Sequence, residues 1–220
     1  TTIAGSRSYF LLGAGAELER AVHSLALDLL KSRGYKQYTV PVLVRTSAME
    51  GTGYLPGGAD QAYYVEKDDM WLVGTSEVPL ASYHQNEILE PSQLPVKMCA
   101  WSTCFRREAG SYGKDVRGLN RLHQFDKVEI VQISKPEDSY NILEAMCLHV
   151  QGLLEKLELP YRKLLLCGGD MGFASAMTYD FEVFSTAQDR WLEISSVSNF
   201  ETFQSNRLKL RYKDKDGKNQ

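Results

Sequence analysis

No close-spaced cysteine pair occurs in this sequence; Cys99, Cys104, Cys147 and Cys167 stand singly. Tetrahedral zinc sites usually draw on such pairs, and disulfide frameworks belong to small secreted chains, so reduced, mostly buried thiols are expected. Missing too is any apolar run near the roughly 18 residues of a membrane span. The opening stretch, Thr1 to Arg7, lacks the basic-then-apolar layout of a secretion signal. Positive charge is not in excess: the net charge is −3, whereas a dedicated nucleic-acid binder neutralises phosphates with a basic surface. The short basic stretch Arg207 to Lys213 therefore reads as a solvated strand rather than an RNA contact. Internal repeats, low-complexity tracts and clear linkers are absent as well. What is left is a soluble, cytoplasmic chain, 43% hydrophobic and 24% charged, as globular proteins are. At 220 residues it can build one sizeable domain, 1–220, around a real core.

Hydrophobic periodicity gives the elements. Leu18, Val22, Leu25 and Leu29 recur at helical spacing and predict a helix over 14–33, with Gly34 at its C-cap. A strand is expected over 37–44, with Pro41 forcing an edge or a bulge because it cannot donate to a ladder. The glycines from Gly51 to Gly58 read as an ordered loop. Further strands are expected at 62–65, 71–73, 96–106 and 122–134, with a helix starting after Thr75 and a loop from Gly110 to Gly118. A long amphipathic helix over 137–157 and strands at 161–166, 178–185 and 191–198 complete the chain. Strands and helices do not alternate strictly, so the fold class is α+β, a mostly antiparallel sheet flanked by helices.

Chemistry concentrates after Cys104, in Phe105-Arg106-Arg107-Glu108-Ala109-Gly110-Ser111. On a strand Arg106 and Glu108 share a face, and so do Arg121, His123, Phe125, Lys127 and Glu129. If the two strands pair as a hairpin, one sheet surface carries arginines, an aromatic ring and acids. Partly buried charges are costly unless paired or ligand-bound. The pattern alone fits a salt-bridged solvated face as well as a site for a polyanion with a flat ring, arginines taking phosphates and Phe125 a base.

The run from Phe105 to Glu129 resembles motif 2 of the seryl-tRNA synthetases, in its bacterial or organellar form. Gly34 to Val42 resembles motif 1 of the class II synthetases, Leu72 to Glu77 the family's serine-binding strand, and Trp191 to Phe200 its second nucleotide-binding strand. The resemblance covers nearly the whole chain. It implies a class II synthetase-like catalytic domain that activates L-serine with ATP and transfers it to tRNA(Ser). It also implies a role for each matching residue. Arg106 grips the α-phosphate and the serine carboxylate, and Glu108 faces the adenine amino group. Arg121 reaches the outer phosphates, Leu122 and Phe125 hold the adenine, and Arg107, Ile194 and Ser195 complete the ATP-binding set. Thr75, Ser76, Glu77 and Glu129 form the serine pocket, and Glu193 and Ser196 hold Mg²⁺ on the ATP phosphates.

The implied chemistry is coherent. A serine carboxylate is already ionised, so attack on the α-phosphorus needs orientation and charge stabilisation rather than a general base. Alanine would be rejected because it leaves buried polar groups unpaired. Magnesium needs few protein oxygens, so one carboxylate and one hydroxyl suffice. Simple alternation, however, puts Glu193 with Ser195 and turns Ser196 to the other face, unless a bulge or the strand end re-aims Ser196 or the strand register is different. The resemblance further implies a homodimer through motif 1, although the Leu18 to Leu29 stripe could equally be buried in the chain's own core. Two family parts, the helical arm that grips tRNA and motif 3, are expected to lie outside these residues, which would impair adenylation by them alone. A non-catalytic paralogue and an amino acid:carrier-protein ligase are the alternative readings.

Overall fold

A computed structural model describes residues 2–110 and 118–220. Residues 111–117 of the expected 110–118 loop lie outside the described residues. In chain order the elements are α1 (Ala14–Ser32), β1 (Lys36–Tyr38), β2 (Leu43–Arg45), α2 (Thr46–Gly51), β3 (Tyr63–Val65), β4 (Met70–Leu72) and α3 (Glu77–Ser82). They continue with β5 (Ile88–Leu89), β6 (Val96–Phe105), β7 (Gln124–Ile133), α4 (Ser139–Lys156) and β8 (Tyr161–Leu165). β9 (Met177–Ser185), β10 (Arg190–Asn199), α5 (Phe203–Arg207) and β11 (Arg211–Tyr212) end the chain. Two compact units result, Thr1–Gln85 with Lys97–Val131, and Asn86–Val96 with Gln132–Gln220.

In the first unit α1 stops as the sequence suggests. Gly34 takes a φ of 84°, its N–H donates to Lys31 O at 3.0 Å and that of Tyr35 to Leu30 O at 3.1 Å. This is a Schellman ending, in which a left-handed glycine lets two orphan carbonyls be satisfied. Tyr35 and Leu30 then pack together with Leu27 and Cys99. The expected apolar stripe is displaced around the helix: Ala26, Leu27 and Leu30 are the buried residues, while Leu18 stays 66% exposed. The expected strand over 37–44 is two strands, because the chain breaks around Pro41. β1 runs parallel to β6, and β2 pairs antiparallel with β4, which also pairs with β3. Having no N–H, Pro41 cannot continue a ladder, and the break lets one segment serve two sheets. α2, for which the sequence reading had no element, and α3 pack on a core of Val44, Met49, Leu55, Val73 and Val78.

β6 and β7 are hydrogen-bonded neighbours in the sheet β1-β6-β7, so the expected hairpin is present. Its residues alternate as period two requires. Val128 and Ile130 of β7 pack against the Leu27 and Leu30 cluster of α1. On that side Asp126 accepts hydrogen bonds from Trp101 Nε1 and Thr103 Oγ1, each at 2.9 Å. Phe125, Lys127 and Glu129 are left for the opposite face.

The second unit is a sheet in the order β10-β9-β8, antiparallel throughout, with α4 on one side. Leu143, Cys147 and Leu154 of α4 bury against Phe181 and Val197, so this face is the core. β10 carries a bulge: Glu193 faces Glu182, but Ser195 faces Phe181, leaving Ile194 extra. Beyond the bulge the alternation restarts, Val197 turning to the core and Ser196 to the other face. The short elements α5 and β5 escaped the sequence reading, whereas β11, the parallel partner of β5, falls within the strand read at 207–213. Two or three residues per strand carry no periodicity to read.

Candidate active site

At the mouth of the hairpin, β6 ends at Phe105, whose N–H donates to Val73 O at 2.8 Å. The first residues past this end are therefore laid beside Gly74 and Thr75. Arg106 Nε donates to Gly74 O at 3.3 Å, and a Cβ added at Gly74 would meet Arg106 Cγ at 3.4 Å. The Arg106 guanidinium sits 5.3 Å from the Phe125 ring centre, a cation–π distance. Arg106 N–H donates to His123 O at 3.0 Å, tying the two strands at the point where the side chains diverge.

Arg106 and Glu108 were expected on one strand face, yet neither lies in a strand. Glu108 has a φ of 53°, a left-handed conformation disfavoured for residues with a Cβ. The turn, rather than strand alternation, brings its carboxylate to Arg121 Nη1 at 3.2 Å and to Arg7 Nη1 at 3.7 Å. Arg7 was not singled out from the sequence. It is joined to this site by the hydrogen bond from His123 N–H to Arg7 O, 3.1 Å. Leu122 is buried. Arg107 points elsewhere: its N–H bonds Gln61 O at 2.8 Å, and its guanidinium lies over Tyr63 at 5.4 Å.

A second group of polar side chains lies deeper along the same face. Thr75 is fully buried; its hydroxyl donates to Glu129 Oε2 at 2.5 Å and accepts from Glu77 N–H at 3.1 Å. It therefore holds the first N–H of α3 and the Glu129 carboxylate with one atom. Lys127 Nζ lies 2.5 Å from the same Glu129 oxygen. Ser76, expected to face the ligand, is instead buried and shares a hydrogen bond with Ser102 at 2.5 Å. Tyr54, which the sequence reading passed over as a loop residue, donates from its hydroxyl to Glu77 Oε2 at 3.2 Å. Burial pushes the Tyr54 phenol well above its ordinary value, with Glu77 and Glu129 adding to the rise and Arg106 opposing it. The arrangement gathers two carboxylates, Arg106 and a desolvated phenol, a chemistry suited to a molecule carrying an ammonium, a hydroxyl and a carboxylate.

In the second unit the bulge resolves the conflict in the sequence. Glu193 and Ser196 fall on one face, Ser196 Oγ lying 3.3 Å from Glu193 Oε1 and donating to Asp180 Oδ1 at 2.6 Å. Both are exposed. Ser195 lies on the α4 side, and Ile194 is the extra residue, 49% exposed. Asp180 is a further acid that strand pairing alone could reveal, since it stands opposite Ser196.

The chain matches the family described as tRNA synthetase class II core domain (G, H, P, S and T) over residues 63–220. It is 50% identical over 211 residues to a serine–tRNA ligase of Salinibacter ruber, covering 96% of this chain and 49% of that protein. A serine–tRNA ligase of Methylacidiphilum infernorum is 51% identical over 218 residues, covering 99% and 52%. The seryl-tRNA synthetase of Pyrococcus horikoshii, solved as a complex with ATP, superposes with a TM-score of 0.96 at 39% identity, covering 100% of this chain and 49% of that one. The chain thus spans about half the length of the curated relatives it matches. With the motif 2 hairpin folded as described and the match running over most of its length, the chain belongs to the class II core-domain family of tRNA synthetases.

Proposed function

We propose that this chain is catalytic-core sequence of a seryl-tRNA synthetase, joining L-serine to ATP as seryl-adenylate with release of pyrophosphate, then passing serine to tRNA(Ser). The observation that carries this reading is the convergence of Arg106, Glu77 and Glu129 with Thr75 on one face of the first unit. In this reading Arg106 holds the serine carboxylate against the α-phosphate, so that attacker and target are oriented before reaction. Glu77 and Glu129 take the serine ammonium and hydroxyl. Buried Thr75 acts through Glu129 and Glu77. Glu108 takes the adenine amino group and Arg121 the outer phosphates, with Phe125 and Leu122 beside the base. The current ion pair of Glu108 with Arg121 is then exchanged for ligand contacts. Arg107, Ile194 and Ser195 are given no direct side-chain contact in this reading: Arg107 lies over Tyr63, Ile194 is the extra residue of the bulge and Ser195 lies on the α4 side.

Magnesium fits Glu193 and Ser196 by donor chemistry, a carboxylate and a hydroxyl oxygen 3.3 Å apart, with room for phosphate and water oxygens. Bound there, the ion would supply neutralisation of polyphosphate charge. We also assign a homodimer through motif 1, with α1 and the Pro41-bearing segment after it, supported by the 66% exposure of Leu18, and a cytoplasmic location. No helix among the described residues is long and apolar enough to cross a membrane.

The test is ATP–pyrophosphate exchange by the protein carrying this chain, with serine, alanine and threonine in parallel. Exchange with serine alone is expected. Exchange with another amino acid, or loading of a phosphopantetheine carrier in preference to tRNA, would overturn the reading.

A further inference from the structure

Tyr54 is held more firmly than a loop residue needs to be. Its N–H donates to Met49 O at 2.9 Å, at the end of α2, and its own carbonyl accepts from Gly58 N–H at 2.8 Å. A Cβ at Gly58 would come within 2.6 Å of that carbonyl oxygen, so the turn closes on Tyr54 only because position 58 is glycine. The ring packs on the core of Val44, Met49, Leu55, Val73 and Val78, and a ring seated in this way has little rotamer freedom left. The one polar atom at its end is carried to Glu77 Oε2, 3.2 Å away. Glu77 is the first residue of α3, a helix of six residues, and its backbone is already fixed through Thr75. Tyr54 therefore fixes the carboxylate while Thr75 fixes the main chain.

We infer that Tyr54 is a positioning residue of the amino-acid pocket, holding the Glu77 carboxylate in the orientation that receives the substrate. The inference rests on the proposed serine site and adds to it a residue that the motifs did not supply. The environment of the hydroxyl agrees. It is desolvated and feels the charges of Glu77, Glu129 and Arg106, the three groups that would surround the substrate. A phenol so placed stays protonated at neutral pH and donates to the carboxylate. Donating to one oxygen of Glu77, it removes a rotational choice from that carboxylate before substrate arrives.

The experiment is Tyr54→Phe in the protein carrying this chain, which keeps the ring and removes only the hydroxyl. Serine KM and ATP KM are measured by pyrophosphate exchange, serine binding by calorimetry, and the thermal midpoint alongside. A hydrogen bond to a charged group is lost, so serine KM and Kd are expected to rise about tenfold while ATP KM and the midpoint hold. Serine parameters equal to those of the wild type overturn the inference. So does a parallel loss of serine affinity, ATP affinity and thermal stability, which would make Tyr54 a structural residue only. Failure of folded wild-type protein to bind serine overturns the proposed site itself, and the wild-type arm alone reveals that outcome.

Discussion

Side chains of one type take different work here according to what they touch. Glu129 shares one oxygen between Thr75 and Lys127, whereas Glu77 receives a phenol. Arg106 lies over Phe125 and its neighbour Arg107 over Tyr63, so adjacent arginines serve separate surroundings. The Tyr54 hydroxyl offers a test independent of substrate. Its pKa is raised in the folded state, so the folded protein retains that proton to higher pH than the unfolded chain does. The stabilisation is fully present below the ordinary phenol value near 10 and is lost as pH climbs through the folded value. Tyr54→Phe is therefore expected to flatten the alkaline loss of stability above about pH 10, followed by urea unfolding at each pH. An unchanged alkaline limb would mean that the phenol is not desolvated as described. At this scale the sequence revealed the residues with unusual motif context, and it missed those that act from outside. Arg7 and Tyr54 are 101 and 23 positions from the acids they touch, and no local pattern announces such pairs.

Elements convert these contacts into a site, and several were legible. The helical spacing and Gly34 gave α1 and its ending, and period two gave the functional face of β7. Gly34→Ala is expected to cost about 1 kcal/mol in denaturant unfolding, because only the left-handed φ is penalised; nothing lies within 4 Å of the added Cβ. A loss of several kcal/mol would point to a steric conflict that the packing does not contain. Alternation misled where a strand ended or slipped. Glu108 reaches Arg121 through a turn, and Pro41 divides what looked like one strand between two sheets. The bulge at Ile194 was posed by the sequence as one of several solutions, and pairing with β9 decided it. Its consequence is measurable. With ATP present, Ser196→Ala is expected to weaken Mn²⁺ binding about tenfold by electron paramagnetic resonance, whereas Ser195→Ala, on the α4 side, leaves it unchanged. The reverse result would mean that β10 runs without the bulge.

At the scale of the molecule, composition said only that the chain is an ordinary globular protein, and it ruled out more than it identified. The α+β class followed from the irregular order of strands and helices. What composition could not convey is that these elements form two compact units, with the chain leaving the first at Gln85, returning at Lys97 and leaving again at Val131. Each unit has its own face of polar residues, one centred on Arg106 and Glu129, the other on Glu193 and Ser196. The family resemblance singled out both sets, because the phosphate and amino-acid chemistry proposed for them demands fixed residue types. Their surroundings were free to vary and so stayed illegible. Serine activation is the claim on which the rest depends, and Glu129 is the residue most fully built into the pocket. The decisive measurement is serine-dependent ATP–pyrophosphate exchange by wild type and Glu129→Ala. Exchange by the wild type, reduced at least a hundredfold in Glu129→Ala with the fold intact, is expected from the loss of a charged contact to the substrate. Equal exchange by both would contradict the assignment of this pocket to serine.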